Sequence, residues 1–224
     1  MKLNDDLLDI IDTLDANKEP IFDKYKEILI GLNTVIDEID ETLEGNLFYV
    51  DKSPRWTRKL HSEFLSKRRN YAIFATVCDA IVEIGFNAGH SALLGLSAND
   101  KLIYRGVDTG YHSYTNPCYE YLKECFGDRI DVTFDQSENA MPQILIIYPE
   151  LNELKVGWVI DGCHDTTVAA SDLENILNIA KLGDVIMFDD TNMPTLRGVI
   201  TAYAVSGEIQ VLYDTVDSVF LKKL

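Results

Sequence analysis

The sequence predicts an α/β sandwich: one seven-stranded, mostly parallel sheet with an antiparallel last strand, helices on its faces and a helical segment ahead of it. Three observations carry this prediction. From Ala80 onward, short apolar runs alternate with amphipathic stretches, the pattern of a parallel sheet whose crossovers are helices. Near the C-terminus two apolar runs are joined by a turn too short for a helical crossover, so the final strand runs antiparallel to its neighbour. A chain of 224 residues that is 46% hydrophobic and 25% charged suits one well-filled core and holds no apolar stretch long enough for a membrane span.

The elements follow in order. Leu3, Leu7, Leu8, Ile11 and Leu14 recur at helical spacing, and a second amphipathic pattern runs from Ile21 through Ile39 after the break at Asn17 to Pro20, which predicts two helices ending near Gly45. Gly45, Asn46, Ser53 and Pro54 then mark a boundary, giving an N-terminal helical segment over residues 1–50 and an α/β domain over 51–224. Strands are expected at 81–84, 101–107, 130–134, 157–160, 185–188, 209–213 and 219–222. Helices are expected to begin near Ala88, Pro117, Glu138, Thr166 and Pro194, with Gly183 between the fourth of these and the fifth strand.

Charge and cysteine usage narrow the function. The net charge of −17 repels phosphate backbones, so no nucleic-acid partner is expected. The balance is uneven: residues 1–44 hold 13 acidic and 4 basic side chains, whereas 52–70 hold seven basic and one acidic. The basic run, Lys52, Arg55, Arg58, Lys59, Lys67, Arg68 and Arg69 with Trp56 among them, reads first as a solvated helix face and second as a site for an anionic ligand or an acidic helix. Cys78, Cys118, Cys125 and Cys163 form no CxxC pair and have no histidine at zinc-ligand spacing, and the N-terminus lacks the features of a secretory signal, so reduced thiols and a cytoplasmic location are expected.

The strand ending Glu83-Ile84 runs into Gly85-Phe86-Asn87-Ala88-Gly89-His90-Ser91 and then a helix. Glycines at 85 and 89 permit a sharp turn and a close approach to the backbone. Asn87 stands where a GxGxxG dinucleotide fingerprint has its second glycine, which favours a cofactor without pyrophosphate against the turn. Asp108 ends the second strand 25 residues after Glu83, where an acidic side chain can accept both hydroxyls of a ribose.

The run E-x-G-x-x-x-G-x-S resembles the cofactor loop of class I S-adenosylmethionine-dependent methyltransferases, in register with the catechol O-methyltransferase type. The resemblance covers about residues 80–224. It implies a Rossmann-like methyltransferase sandwich, with Gly85 and Gly89 beside the methionine part of S-adenosylmethionine, Ser91 on its carboxylate and Glu83 shaping the loop. It extends the cofactor-binding set to Asn87, Ala88 and Asp161, and it places Ser137 and Glu138 around the adenine.

The fourth strand ends Asp161-Gly162-Cys163-His164 and the fifth ends Asp189-Asp190, so carboxylates and an imidazole project from strand C-termini, the edge where open α/β sheets bind ligands. Three carboxylates brought close repel unless a cation neutralises them, and hard oxygen donors suit Mg²⁺ or Mn²⁺. A metal site of Asp161, Asp189 and Asp190 is therefore expected; the alternative is that Asp189 and Asp190 only cap the next helix. Metal-dependent O-methyltransferases look similar here. In the catechol type the position of His164 carries a lysine, whereas DGxH resembles sugar O-methyltransferases; a histidine there suits a general base for a hydroxyl at neutral pH.

The expected function is O-methylation of a small hydroxylated molecule such as a sugar or a catechol-like compound. Competing readings are a nicotinamide-dependent oxidoreductase, opposed by Asn87 and the closing hairpin, and a noncatalytic assembly protein of the same fold. The N-terminal helices are expected to cap the substrate or to form a homodimer. Tyr111, His112, Tyr114, Tyr119 and Tyr121 crowd the segment after Asp108, as pocket lining or as helix packing.

Overall fold

The computed structural model describes residues 21–49 and 62–224. The expected first helix and most of the basic run with Trp56 lie outside the described residues.

The elements are α1 (Phe22–Asp37), α2 (Leu65–Thr76), β1 (Ala80–Ile84), α3 (His90–Ala98), β2 (Ile103–Asp108), α4 (Thr115–Phe126), β3 (Ile130–Phe134), α5 (Ser137–Ala140), α6 (Ile144–Ile147), β4 (Val156–Ile160), α7 (Thr166–Ile179), β5 (Val185–Phe188), α8 (Pro194–Ser206), β6 (Ile209–Asp214) and β7 (Val219–Lys223). The seven strands form one sheet in the order β3-β2-β1-β4-β5-β7-β6. β1 pairs parallel with β4, and β4 with β5, whereas β7 is antiparallel to both β5 and β6. The expected mostly parallel sheet with an antiparallel last strand is therefore what forms. A bulge between Val211 and Tyr213 shifts the β6–β7 register.

β1, β4 and β5 are buried along their whole lengths, which is why AIVEI, VGWVI and VIMF read as near-continuous apolar runs rather than alternating ones. The expected helix after β3 is instead broken into α5, a 3₁₀ turn at Met141–Gln143, α6 and a 3₁₀ turn at Pro149–Asn152. Pro142 and Pro149 stand second and first in the two 3₁₀ turns, where a missing N–H costs little.

The chain divides into two compact units. Among the described residues, the first draws on 21–49, 62–77, Phe86–Tyr104 and Gly110–Val132. Within it α1 packs on α3 and α4, and α2 packs on α3. α1 ends at Asp37, short of the expected Gly45, and residues 38–49 follow without helix. Arg68 of α2 departs from the solvated-face reading at its own position: it is buried, donates from Nη1 to the Leu47 carbonyl at 2.9 Å and lies over the Phe48 ring. A guanidinium is taken out of water there because a carbonyl and an aromatic face replace hydration. Helix packing accounts for three of the crowded tyrosines: Tyr114 is buried with its hydroxyl on the Glu44 amide, Tyr119 bonds Asp131, and Tyr121 lies against Gly31 of α1.

The second unit comprises Cys78–Gly85, Arg105–Thr109 and Thr133–Leu224. Asp184, ahead of β5, is buried and accepts from the Val156 amide and the Trp158 indole at 3.0 Å each, which ties the starts of β4 and β5 together. Arg105 donates two bonds to Glu150 and lies over the Tyr148 ring.

Candidate functional site

In the second unit the backbone ladder brings the strand ends level with one another. The Gly85 amide bonds the Val107 carbonyl, the Asp161 amide bonds Ile84, the Asp189 amide bonds Ile160 and the Asp135 amide bonds Asp108. One row of strand termini thus carries Asp108, Gly85, Asp161 and Asp189, with Ser137 and Glu138 opening the helix that follows β3. Asp108, Ser137 and Asp161 are half-buried, Glu138 is exposed, and Glu83 is fully buried inside β1.

The carboxylates expected to hold a metal converge: Asp161, Asp189 and Asp190 each offer an oxygen, and these lie within 4.8 Å of one another. Asp189 is buried and the other two half-buried. Like charges at this separation oppose one another, so the donor set fits a hard divalent cation of the Mg²⁺ or Mn²⁺ kind. Asp190 holds φ 51, a left-handed conformation that Asp tolerates better than most residues. This turn sends two consecutive side chains to the same centre.

His164 also comes to this centre, with Nε2 2.8 Å from Asp190 Oδ2. Its position is fixed by the start of α7, where the next residue, Asp165, accepts from the Thr167 amide at 2.8 Å and the Val168 amide at 3.2 Å in an N-cap. With Nε2–H donating to Asp190, the imidazole keeps its lone pair on Nδ1.

The loop glycines have reasons inside the protein. A Cβ on Gly85, which holds φ +96, would stand 2.1 Å from the Asp161 carbonyl oxygen and 2.9 Å from the Gly162 Cα. Gly85 is therefore required by the close approach of the β4–α7 loop, and through that approach it sets the backbone that carries Asp161.

The remainder of the loop lies in the first unit. Gly89 holds φ +75, and a Cβ there would meet Leu122 and Phe86 at 2.5 and 2.6 Å. Asn87 holds φ 54, the conformation a glycine would otherwise supply, and its side-chain amide donates to the carbonyls of Glu44 and Gly45. Its departure from the dinucleotide fingerprint thus lies in the side chain and not in the backbone. Ala88 is buried, and Ser91 is buried in the first turn of α3.

Sequence reasoning missed two features of the first unit. His90 is buried with its ring edge-on to Phe48 and Tyr49, and burial pulls its pKa down to about 3. Glu41 accepts from the Ser113 amide and hydroxyl and from His112 at 2.6 Å, and these bonds, the Ser113 hydroxyl first, hold its pKa near 2. Both belong to long-range pairings that no local pattern announces.

The mostly parallel seven-stranded sheet closed by an antiparallel β7 is a Rossmann-like methyltransferase fold. Residues 82–191 match the family model described as a methyltransferase domain. Among solved structures, CalS11, a TDP-rhamnose 3′-O-methyltransferase of calicheamicin biosynthesis, is 17% identical with a TM-score of 0.55, over 72% of this chain and 81% of that one. The SAH-bound Podospora anserina methyltransferase PaMTH1 is 14% identical with a TM-score of 0.57, over 88% and 96%. MycE of the mycinamycin pathway, in complex with Mg and SAH, is 15% identical with a TM-score of 0.53, over 73% and 50%. No curated protein matches the chain in sequence. Among the described residues no helix is long and apolar enough to cross a membrane.

Proposed function

We propose that the chain is an S-adenosylmethionine-dependent O-methyltransferase that uses Mg²⁺ or Mn²⁺ and acts on a small hydroxylated molecule, a sugar or a catechol-like compound. The observation that carries this reading is the convergence of Asp161, Asp189 and Asp190 within 4.8 Å, with His164 bonded to Asp190. The printed descriptions of CalS11 as a sugar O-methyltransferase and of MycE with Mg support the same direction.

When bound, the sulfonium cofactor supplies an electrophilic methyl group and the cation a Lewis acid that lowers the pKa of an acceptor hydroxyl. Asp161, Asp189 and Asp190 hold the cation. Glu83, Gly85, Asn87, Ala88, Gly89, Ser91, Asp108, Ser137, Glu138 and Asp161 form the proposed cofactor-binding set, with Asp108 on the ribose hydroxyls. His164 takes the hydroxyl proton on Nδ1 while Asp190 steadies Nε2–H, the division of labour that lets an oriented imidazole act as a base. Residues 1–50 serve as a substrate cap or dimerisation segment, and the protein works in the cytoplasm.

The test is transfer of labelled methyl from S-adenosylmethionine to a panel of sugar and catechol acceptors, with Mg²⁺ and with EDTA. Transfer that EDTA abolishes and Mg²⁺ restores is the expected result. No transfer to any acceptor with Mg²⁺ present would favour a noncatalytic role, and full activity in EDTA would remove the cation.

A further inference from the structure

The turn between β6 and β7 is built by reciprocal bonds: the Thr215 amide and hydroxyl both donate to the Ser218 carbonyl, and the Ser218 amide donates to Thr215 Oγ1. This satisfies the Ser218 backbone within the turn. Its hydroxyl donates instead across to Asp189 Oδ1 at 2.6 Å, between two residues that are each 2% exposed. The direction is fixed, since a carboxylate only accepts.

The same turn grips the carboxylate segment twice more. The Thr191 amide donates to the Asp217 carbonyl at 3.0 Å. Arg197 spans both sides, with Nε on the Thr191 carbonyl at 2.9 Å, Nη2 on the Thr215 carbonyl at 3.0 Å and Nη1 on both oxygens of Asp214. The closing hairpin and the segment Asp189–Thr191 are thus one bonded assembly, in which the Ser218 hydroxyl reaches the Asp189 carboxylate directly.

We propose that Ser218 is a positioning residue that sets metal selectivity: by engaging Oδ1 it makes Asp189 a one-oxygen ligand, which favours Mg²⁺ or Mn²⁺ over Ca²⁺. This rests on the reading of Asp161, Asp189 and Asp190 as cation ligands. The physical ground is that Mg²⁺ takes single oxygens in a tight octahedron, whereas Ca²⁺ takes more oxygens and accepts both from one carboxylate. A hydroxyl held against one carboxylate oxygen in a buried site disfavours the second option, because it competes for that oxygen's lone pairs. Partners of this kind commonly change metal affinity about 10- to 100-fold when lost.

The test is Mn²⁺ binding to the full chain, followed by electron paramagnetic resonance, with Mg²⁺ and Ca²⁺ as competitors. In the wild type Mg²⁺ displaces Mn²⁺ at lower concentration than Ca²⁺ does. In Ser218→Ala the Ca²⁺-to-Mg²⁺ preference rises roughly tenfold, and in Ser218→Thr, which keeps the hydroxyl, it returns to the wild-type value. A merely structural role would weaken all three ions together and leave the ratio alone. If Ser218→Ala does not fold, Ser218→Cys, whose thiol is a weak donor, shows the same change of ratio. An unchanged ratio in these variants, or a wild type that prefers Ca²⁺, overturns the proposal. Failure of the wild type to bind Mn²⁺ overturns the carboxylate site itself, a result distinguishable because it appears before any substitution.

Discussion

Gly85→Ala perturbs the point where the proposed cofactor loop closely approaches the backbone of the candidate metal segment. Two costs act. A non-glycine residue at φ +96 leaves the allowed region, for about 1–2 kcal/mol. The new Cβ also stands 2.1 Å from the Asp161 carbonyl oxygen and 2.7 Å from its carbon, so the β4–α7 loop must retreat by about 1 Å, an overpacking cost of about 1–3 kcal/mol. The sum, about 2–5 kcal/mol, is a large part of the roughly 5–15 kcal/mol that keeps a domain folded. Gly183→Ala separates the two costs, because Gly183 has a similar φ of +103 and nothing within 4 Å of the added Cβ. Urea denaturation followed by circular dichroism gives both stabilities. Gly183→Ala should lose only the conformational part, and Gly85→Ala more, with weaker Mn²⁺ binding as Asp161 is displaced. Equal losses for the two variants would refute the reasoning, since the close approach would then cost nothing.

The remaining predictions concern single side chains. His90 is held neutral by burial, with its pKa down from 6.5 to about 3, so the unfolded chain binds the extra proton between those values; stability therefore falls as pH drops below 6.5, by about 2 kcal/mol at pH 5. Denaturation midpoints across pH 7 to 4 should fall more steeply for the wild type than for His90→Gln, and parallel slopes would contradict this. His164→Ala should lower turnover about 100-fold or more while S-adenosylhomocysteine affinity stays within twofold, as calorimetry beside a methyl-transfer assay would show; equal turnover would remove the base. Asp189→Asn should reduce Mn²⁺ affinity by at least about tenfold in a resonance titration, and unchanged affinity would take Asp189 out of the site.

Much of this architecture is legible in the sequence because parallel strands buried on both faces leave short apolar runs, and their lengths are hard to mistake. β3 and β5 match their expected bounds, and the other strands differ by one or two residues at an end. α2 is not legible as a packed helix, because its arginines read as surface until Arg68 is seen against Leu47 and Phe48. The carboxylates proposed to hold the metal are legible because they follow strand ends. Ser218 is not, since it reaches Asp189 across 29 residues and nothing local marks it. The glycine loop illustrates the opposite difficulty. Its spacing is visible, yet Gly85 and Gly89 are explained by Asp161, Leu122 and Phe86, so the glycines alone say more about packing than about a cofactor.

The most direct test of the account is therefore the cofactor itself: calorimetric titration of the wild-type chain with S-adenosylhomocysteine, and separately with NAD, each in Mg²⁺. Saturable one-site binding of S-adenosylhomocysteine, weakened by Asp108→Ala, with no binding of NAD, is the predicted result. Binding of NAD without S-adenosylhomocysteine would contradict the methyltransferase reading.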